Sequence, residues 1–137
     1  MTTIRQLASA QRTRRARALI VAGAALALGH PRGTLAAGDA MRGKSLYESR
    51  CIACHSIDAN RIGPAHKGVY GRKAGSAAGY DYSPAVKASA VVWGDATLDR
   101  WLANPESVIP GQKMGYSVPE AADRADLIAY LKSQSGK

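Results

Sequence analysis

The chain shows apolar residues at helical spacing in a few separate stretches, and glycine and proline residues interrupt them. Asp39 can cap a first helix that runs to about Ala53. A last helix follows Pro119 and runs to about Gln134, with leucine, isoleucine and tyrosine at its apolar positions. The pattern therefore predicts one helix near each end of the region from residue 38 to residue 137.

Two shorter helices are predicted between them. Ser83, followed by proline, is typical of a helix start, and this helix ends at about Ala88. Thr97 can cap another helix, which ends before Asn104. Two glycine-rich loops are predicted, over residues 61–79 and 106–117. No stretch alternates strongly enough to predict a sheet. The sequence thus predicts an all-α domain of three or four helices whose long loops wrap a ligand, since such loops are otherwise uncommon in a compact domain.

Residues 51–55 read Cys-Ile-Ala-Cys-His, which is the C-x-x-C-H spacing of covalent haem attachment. Cys51 and Cys54 lie about one helical turn apart, so each thiol can add to a vinyl group on one edge of a haem. His55 then projects its imidazole toward the iron. Two alternatives remain open from the spacing alone: a zinc site that also uses His66, and a thioredoxin-like redox pair, which needs a βαβ setting.

A haem iron held by His55 has a sixth position that is either open or filled by a second side chain. The candidates are Met114, His66 and Met41. Met114 lies in a loop beside Pro110 rather than on an apolar helix face, so an iron ligand and a core residue both fit its position. A methionine opposite a histidine raises the reduction potential, which suits an electron carrier. An open position suits gas binding or peroxide chemistry.

Charge is distributed unevenly along the 137 residues, which include 19 basic and 10 acidic side chains and carry a net charge of +9. Six of the basic residues precede the first acidic residue, Asp39. From Gly38 onward the net charge is only +3. The strong basicity therefore belongs to the N-terminal segment, and we expect no nucleic-acid binding.

Residues 1–37 have the layout of a secretory signal peptide, which we expect to be cleaved near 36/37. An arginine-rich start precedes an apolar run of 11 residues at 18–28, and small residues follow. This run is shorter than the roughly 20 residues of a transmembrane helix. An uncleaved membrane anchor and a mitochondrial transit peptide are the alternatives. The remaining domain, residues 38–137, has so thin a core that we expect a cofactor to help hold it together.

From residue 38 to residue 135 the sequence resembles class I cytochrome c, in particular the group of mitochondrial cytochrome c and bacterial cytochrome c2. Besides the C-x-x-C-H motif, the resemblance rests on residues 62–64, 71–73, 79–83, 93, 97–98, 104–105, 109–114 and 126–131. Together these segments are far more specific than the haem motif alone. The resemblance implies an all-α cytochrome c fold wrapped around one covalently attached haem c.

The resemblance also implies roles for individual residues. Cys51 and Cys54 match the two thioether attachments, and His55 and Met114 match the axial iron ligands. Pro64 matches the proline whose carbonyl accepts a hydrogen bond from the ligand histidine and fixes its orientation. The residues that match donors to a buried haem propionate are Arg72, Tyr82 and Trp93.

Several positions depart from the family pattern. His66 stands where the family usually has a leucine that packs on the haem. The residues that replace the Asn, Tyr and Thr of a polar network on the methionine side are Val86, Trp101 and Gln112. We therefore expect that network to be altered. Gly43 keeps the family pattern and matches the first-helix glycine that allows the last helix to approach closely.

The implied function is that of a soluble, monomeric, periplasmic carrier of single electrons, and not of an enzyme. The partners implied by the resemblance are a membrane quinol-oxidising complex and a terminal oxidase, a reductase or a photosynthetic reaction centre. The alternatives are a dedicated electron acceptor of one periplasmic dehydrogenase and a small haem peroxidase or gas-binding cytochrome. For the location, membrane anchoring and the mitochondrial intermembrane space are the alternatives.

Overall fold

The computed structural model describes residues 37–136, so the signal peptide predicted at the N-terminus lies outside the described residues except for its last position. The helices in this part of the chain are α1 (Ala40–Arg50), α2 (Pro84–Ala88), α3 (Asp95–Ala103), α4 (Pro105–Val108) and α5 (Ala121–Ser133). One isolated antiparallel bridge joins Lys73 to Val92. The predicted all-α class is confirmed. No helix between residues 37 and 136 is long and apolar enough to cross a membrane.

Side-chain caps fix the beginnings of two helices. The Asp39 carboxylate accepts hydrogen bonds from the backbone N–H groups of Met41 and Arg42, at 2.8 and 3.1 Å. The Ser83 hydroxyl accepts one from the N–H of Val86 at 3.3 Å. Each bond satisfies a donor that a helix start leaves without an intrahelical partner. Both predicted caps are therefore confirmed.

The first helix ends earlier than predicted, at Arg50 rather than at Ala53. A turn follows, in which the N–H groups of Cys54 and His55 both donate to the carbonyl of Cys51, at 3.1 and 2.8 Å. Residues 51–54 therefore form a turn rather than a further turn of α1. This turn places the C-x-x-C-H motif directly after α1.

The predicted cap of α3 is also wrong. The helix begins at Asp95, and its cap position is Gly94. Thr97 is instead the third helical residue, and its hydroxyl accepts the N–H of Gly94 at 2.7 Å while donating to the carbonyl of Val92 at 2.8 Å. Thr97 therefore closes the start of the helix from within the first turn.

Helix α4 lies where the sequence predicts the beginning of a loop. The Asn104 side chain caps it by accepting the N–H of Ser107 at 3.3 Å, and Pro105 occupies the first helical position. A single turn of helix is too short to produce an apolar periodicity. The remainder of the predicted loop is irregular, as expected.

Helices α1 and α5 cross at Gly43. A Cβ at this position would lie 1.9 Å from the backbone oxygen of Asp126 and 2.9 Å from Cβ of Tyr130, so only glycine permits this approach. Tyr47 then packs on Tyr130 with ring centroids 5.3 Å apart. The expected close approach of the two helices is confirmed.

An ion pair reinforces the crossing. The Asp126 carboxylate accepts hydrogen bonds from Nε of Arg42 at 2.8 Å and from the backbone N–H of Asp39 at 2.6 Å. Asp126 itself is only 4% exposed. The pairing therefore compensates the cost of burying a carboxylate. The buried apolar residues are Tyr47, Val69, Ala74, Val86, Trp93, Leu98, Leu102, Ile109, Val118, Leu127, Ile128 and Leu131.

Candidate haem-binding site

The turn after α1 presents two free thiols. Cys51 is half-buried, whereas Cys54 is exposed. Burial raises the pKa of the Cys51 thiol to about 11, against a smaller opposing effect of Arg50. Both cysteines belong to one short turn, whose backbone is held by hydrogen bonds to the carbonyl of Cys51.

The ring of His55 is fixed by the segment that follows the turn. Its Nδ1 lies 2.9 Å from the carbonyl oxygen of Pro64, and this bond leaves Nε2 as the nitrogen able to bind a metal. A Cβ on Gly63 would fall 2.1 Å from Cε1 of His55, so glycine provides the space for the ring. The N–H of Gly63 donates to the carbonyl of Cys54 at 2.8 Å and holds the segment in place.

Burial lowers the pKa of His55, while the hydrogen bond to Pro64 acts in the opposite direction. The neutral ring is therefore favoured, with the proton on Nδ1, because Nδ1 must donate to a carbonyl. A neutral imidazole with a free Nε2 is the form that binds iron.

His66 lies flat against His55, with ring centroids 4.1 Å apart and an angle of 20° between the planes. Its Nδ1 lies 3.1 Å from the hydroxyl oxygen of Tyr47. Loss of solvent, followed by the nearby His55 and Arg72, lowers the pKa of His66 to about 3. A ring stacked on His55 cannot occupy the opposite side of an iron that His55 binds, so this geometry argues against His66 as the sixth ligand.

The zinc alternative finds no support in the described residues. Between positions 37 and 136, no group of three or more His, Cys, Asp or Glu side chains is arranged to hold a metal ion. The thioredoxin-like alternative needs strands beside the cysteines, and the turn instead follows α1. The donor set that remains is one suited to haem.

Met114 lies in the loop after α4 and packs, partly buried, against the edge of the core. Its backbone N–H donates to the side-chain oxygen of Gln112. The Gln112 amide in turn donates to the Glu106 carboxylate at 3.1 Å, and this carboxylate also accepts the N–H of Gly111 at 2.9 Å. Glu106 therefore ties together the loop that carries Met114, a role that sequence reasoning missed.

The three residues that replace the family's usual polar network on the methionine side each make a different kind of contact. Val86 is buried among apolar residues and offers no polar side-chain atom. Trp101 packs on Trp93 with centroids 5.0 Å apart. Gln112 makes its side-chain bonds to the loop itself.

The three residues expected at a haem propionate lie in one region. The backbones of Arg72 and Trp93 pair, with the Trp93 N–H donating to the Arg72 carbonyl at 2.9 Å. The Arg72 guanidinium donates to the carbonyls of Ala65 and Lys67, both at 2.9 Å. Burial raises the pKa of Tyr82, while the hydrogen bond that its hydroxyl accepts from the Ala77 N–H, and then the nearby Arg72 charge, act in the opposite direction. A cation, a phenol and an indole N–H are thus available as donors to a buried carboxylate.

The residues present fit a covalently bound haem. The two thiols and an oriented imidazole follow one another in a single turn, and Gly63 leaves the space that the imidazole needs. Met114 supplies a soft thioether from a separate loop. An all-α domain with this motif defines a c-type haem protein.

Comparison with known proteins identifies the family within this class. The family model for cytochrome c matches residues 40–135. Cytochrome c of Gibberella zeae is 45% identical over 105 residues, which cover 74% of this chain and 99% of that protein. Cytochrome c2 of Rhodomicrobium vannielii is 42% identical over 106 residues, covering 74% of this chain and 84% of that protein.

A solved structure is also similar. Cytochrome cH from Methylobacterium extorquens superimposes with a TM-score of 0.67 at 43% identity, covering 70% of this chain and 99% of that one. The chain belongs to the cytochrome c family, and it has the cytochrome c fold. It is a haem electron carrier whose cofactor is a covalently attached haem c.

Proposed function

We propose that this protein is a soluble, periplasmic carrier of single electrons in which His55 and Met114 are the axial ligands of one haem c. The observation that carries the proposal is the fixed orientation of His55. Its Nδ1 lies 2.9 Å from the Pro64 carbonyl, and Gly63 leaves room for the ring. A ligand held in this way needs little rearrangement when the charge on the iron changes.

Cys51 and Cys54 hold the cofactor by thioether bonds to its two vinyl groups. The turn between them is fixed by two hydrogen bonds to the Cys51 carbonyl, so the cysteines and His55 act as one unit. Bound haem supplies an iron that accepts one electron and gives it back. The protein keeps the ligands in place in both oxidation states.

Met114 is the sixth ligand, presented by a loop that Glu106 and Gln112 tie together. A thioether opposite an imidazole favours ferrous iron and raises the reduction potential. With both axial positions filled, the site has no place for a substrate on the iron. Electron transfer without catalysis is therefore the proposed activity.

Arg72, Tyr82 and Trp93 donate to a haem propionate. A propionate away from water requires hydrogen-bond donors and a counter-charge, and these three side chains provide both. Arg72 is held by two loop carbonyls, at 2.9 Å each, so its charge is already positioned. The proposed role of the three residues is to orient the haem and to compensate a buried negative charge.

The proposed partners are a membrane quinol-oxidising complex as donor and a terminal oxidase, a reductase or a reaction centre as acceptor. The N-terminal signal pattern of residues 1–37 supports export and cleavage, which leaves residues 38–137 as the mature protein. Ile52, which lies between the two cysteines in sequence, is 45% exposed, and Ile62, which precedes Gly63, is 75% exposed. Exposed apolar residues beside an electron-transfer site suit brief docking to such partners.

The test is to produce the protein with a haem-attachment system and to record oxidised and reduced absorption spectra of the wild type and of Met114→Ala. We expect a covalent c-type haem with a sulfur-to-iron charge-transfer band, and we expect Met114→Ala to abolish this band. A band that survives the substitution contradicts Met114 as ligand. Absence of covalent haem from the wild type contradicts the whole proposal.

The carrier role is then tested by mixing the reduced protein with membranes of its own cells. Reoxidation that depends on a terminal oxidase or reductase supports the carrier proposal. Reduction by a single periplasmic dehydrogenase, with no electron exchange with membranes, would instead identify a dedicated acceptor.

A further inference from the structure

A series of three aromatic rings leads from α1 to the proposed iron ligand, of which Tyr47 is buried and His66 and His55 are half-buried. Tyr47 is 2% exposed, and its hydroxyl oxygen lies 3.1 Å from Nδ1 of His66. The ring of His66 then stacks on His55 at 4.1 Å between centroids, with 20° between the planes. Tyr47 is itself held by Tyr130 of α5, at 5.3 Å. The crossing of α1 and α5 therefore holds Tyr47, and Tyr47 in turn orients His66.

The chemical character of His66 follows from its surroundings. Its side-chain partner is a phenol, which can donate or accept a hydrogen bond but does not compensate a positive charge at neutral pH. An imidazole of ordinary pKa is mostly uncharged at pH 7, and a phenol partner does not favour its protonation. His66 therefore presents an uncharged, polar ring to the face of His55.

An uncharged aromatic face favours positive charge opposite it, because its π-electrons are negative. When His55 binds iron, its ring shares in the extra positive charge of the oxidised state. The stacked ring of His66 stabilises that state more than the reduced one. An aliphatic side chain of similar size fills the same volume without this effect.

We propose that His66, oriented by Tyr47, is a positioning residue that lowers the reduction potential of the haem by acting through the ring of His55. This inference rests on the proposed ligation by His55. It assigns the Tyr47–His66 pair to the control of potential rather than to packing alone.

The experiment compares four holoproteins: wild type, His66→Leu, Tyr47→Phe and the double variant. Reduction potentials are measured by spectroelectrochemical titration at pH 7, and absorption spectra establish that each protein retains covalent haem and the same axial ligands. We expect His66→Leu to raise the reduced-to-oxidised ratio at a fixed potential about threefold, or about 30 mV for a one-electron couple. Tyr47→Phe should shift the potential in the same direction but less.

The double variant tests whether Tyr47 acts through His66. We expect its potential to equal that of His66→Leu, because removing the imidazole also removes the group that Tyr47 orients. Tyr130→Phe is the matched control, since it deletes a phenol hydroxyl from the adjacent ring without touching His66, and it should leave the potential unchanged. Urea unfolding of all five proteins measures packing separately from potential.

Three results would overturn the inference: an unchanged potential in His66→Leu, a lower one, or additive shifts from the two single substitutions. A change confined to unfolding would assign the pair to packing. These results are distinct from failure of the proposed function, which is already visible in the wild type as missing covalent haem or missing His/Met ligation.

Discussion

Glycine at position 63 has a hydrogen atom where any other residue carries Cβ, and the ring of His55 occupies the adjoining space. Replacement by alanine places a carbon 2.1 Å from Cε1 of His55. Because the backbone N–H of Gly63 also donates to the Cys54 carbonyl at 2.8 Å, the segment cannot move away freely. We expect Gly63→Ala to tilt the ring and to lower the free energy of unfolding by about 2–4 kcal/mol.

Urea unfolding and absorption spectra of the haem-loaded variant test this prediction. Gly115→Ala is the matched control, because a Cβ there meets no atom within 4 Å although the residue adjoins Met114. It should unfold within roughly 0.5 kcal/mol of the wild type. If Gly63→Ala unfolds like Gly115→Ala with unchanged spectra, the space beside His55 is larger than the structure indicates.

The loop that carries Met114 depends on one carboxylate. Glu106 accepts the N–H of Gly111 at 2.9 Å and the amide of Gln112 at 3.1 Å, and Gln112 contacts the backbone of Met114. Loss of these exposed hydrogen bonds costs about 1 kcal/mol. We expect Glu106→Ala to let added imidazole displace Met114, the proposed sixth ligand, roughly fivefold more readily, since 1.4 kcal/mol corresponds to a factor of ten.

Spectrophotometric imidazole titrations measure this difference. Glu120→Ala serves as control, because Glu120 is exposed and its side chain makes no cap hydrogen bond at the start of α5. Glu106→Gln should fall between wild type and Glu106→Ala, as it retains one acceptor oxygen. Equal imidazole affinities for the Glu106 and Glu120 variants would show that the loop is held by other contacts.

The crossing of α1 and α5 makes stability depend on pH. The hydrogen bond from Arg42 is the largest cause that holds the pKa of Asp126 below the ordinary value of 3.8. A carboxyl whose pKa is lower in the folded state stabilises it fully above the unfolded pKa, and this stabilisation is lost as the pH falls through the folded value. Because Arg42 is largely exposed, we expect Asp126→Asn to cost only about 1–2 kcal/mol at pH 7.

Urea unfolding of the holoprotein between pH 7 and pH 3 tests the sign. The gap between wild type and Asp126→Asn should be constant from pH 7 to about pH 5 and should narrow below pH 4. Asp58→Asn, which removes an exposed ion pair with Lys67, should show little gap at any pH. A gap that widens in acid would exclude a lowered pKa as the source.

Helix beginnings could be predicted from the sequence because caps are local. Asp39 and Ser83 bond to N–H groups two or three residues ahead. The prediction for Thr97 was wrong because a threonine at the helix cap and one at the third helical position cannot be distinguished from the sequence. The structure shows that Gly94 is the cap residue of α3. The single turn of α4 is too short to give a periodicity.

The candidate site likewise contains residues that the sequence identifies and contacts that it does not. Cys51, Cys54 and His55 form a contiguous motif, so their chemistry is readable directly from the sequence. The contact between Tyr47 and His66 joins residues 19 positions apart and depends on how α1 crosses α5. Glu106 reaches the loop five residues ahead through a side chain with no motif around it. Contacts of this kind are set by tertiary packing.

Between residues 37 and 136 the chain provides only a small apolar core of its own. Twelve buried apolar residues serve the described domain, and the region between α1 and α2 contains no helix and only one end of the isolated bridge. A domain of this size is marginally stable without additional stabilisation. We therefore expect the haem to act as part of the core as well as the redox centre, so that folding depends on covalent attachment.

Removal of the haem tests this dependence on an unchanged sequence. Residues 38–137 produced without a haem-attachment system should lose more than about half of their helical circular-dichroism signal and their cooperative thermal transition, because a ligand that binds only the folded state contributes directly to stability. The same chain with haem attached is the control, and Cys51→Ala/Cys54→Ala should resemble the haem-free chain. Gly43→Val, which prevents the close approach of α1 and α5, should reduce the residual helix further. A haem-free chain that kept a sharp transition would mean that the loops from residue 51 to residue 83 fold around their own side chains.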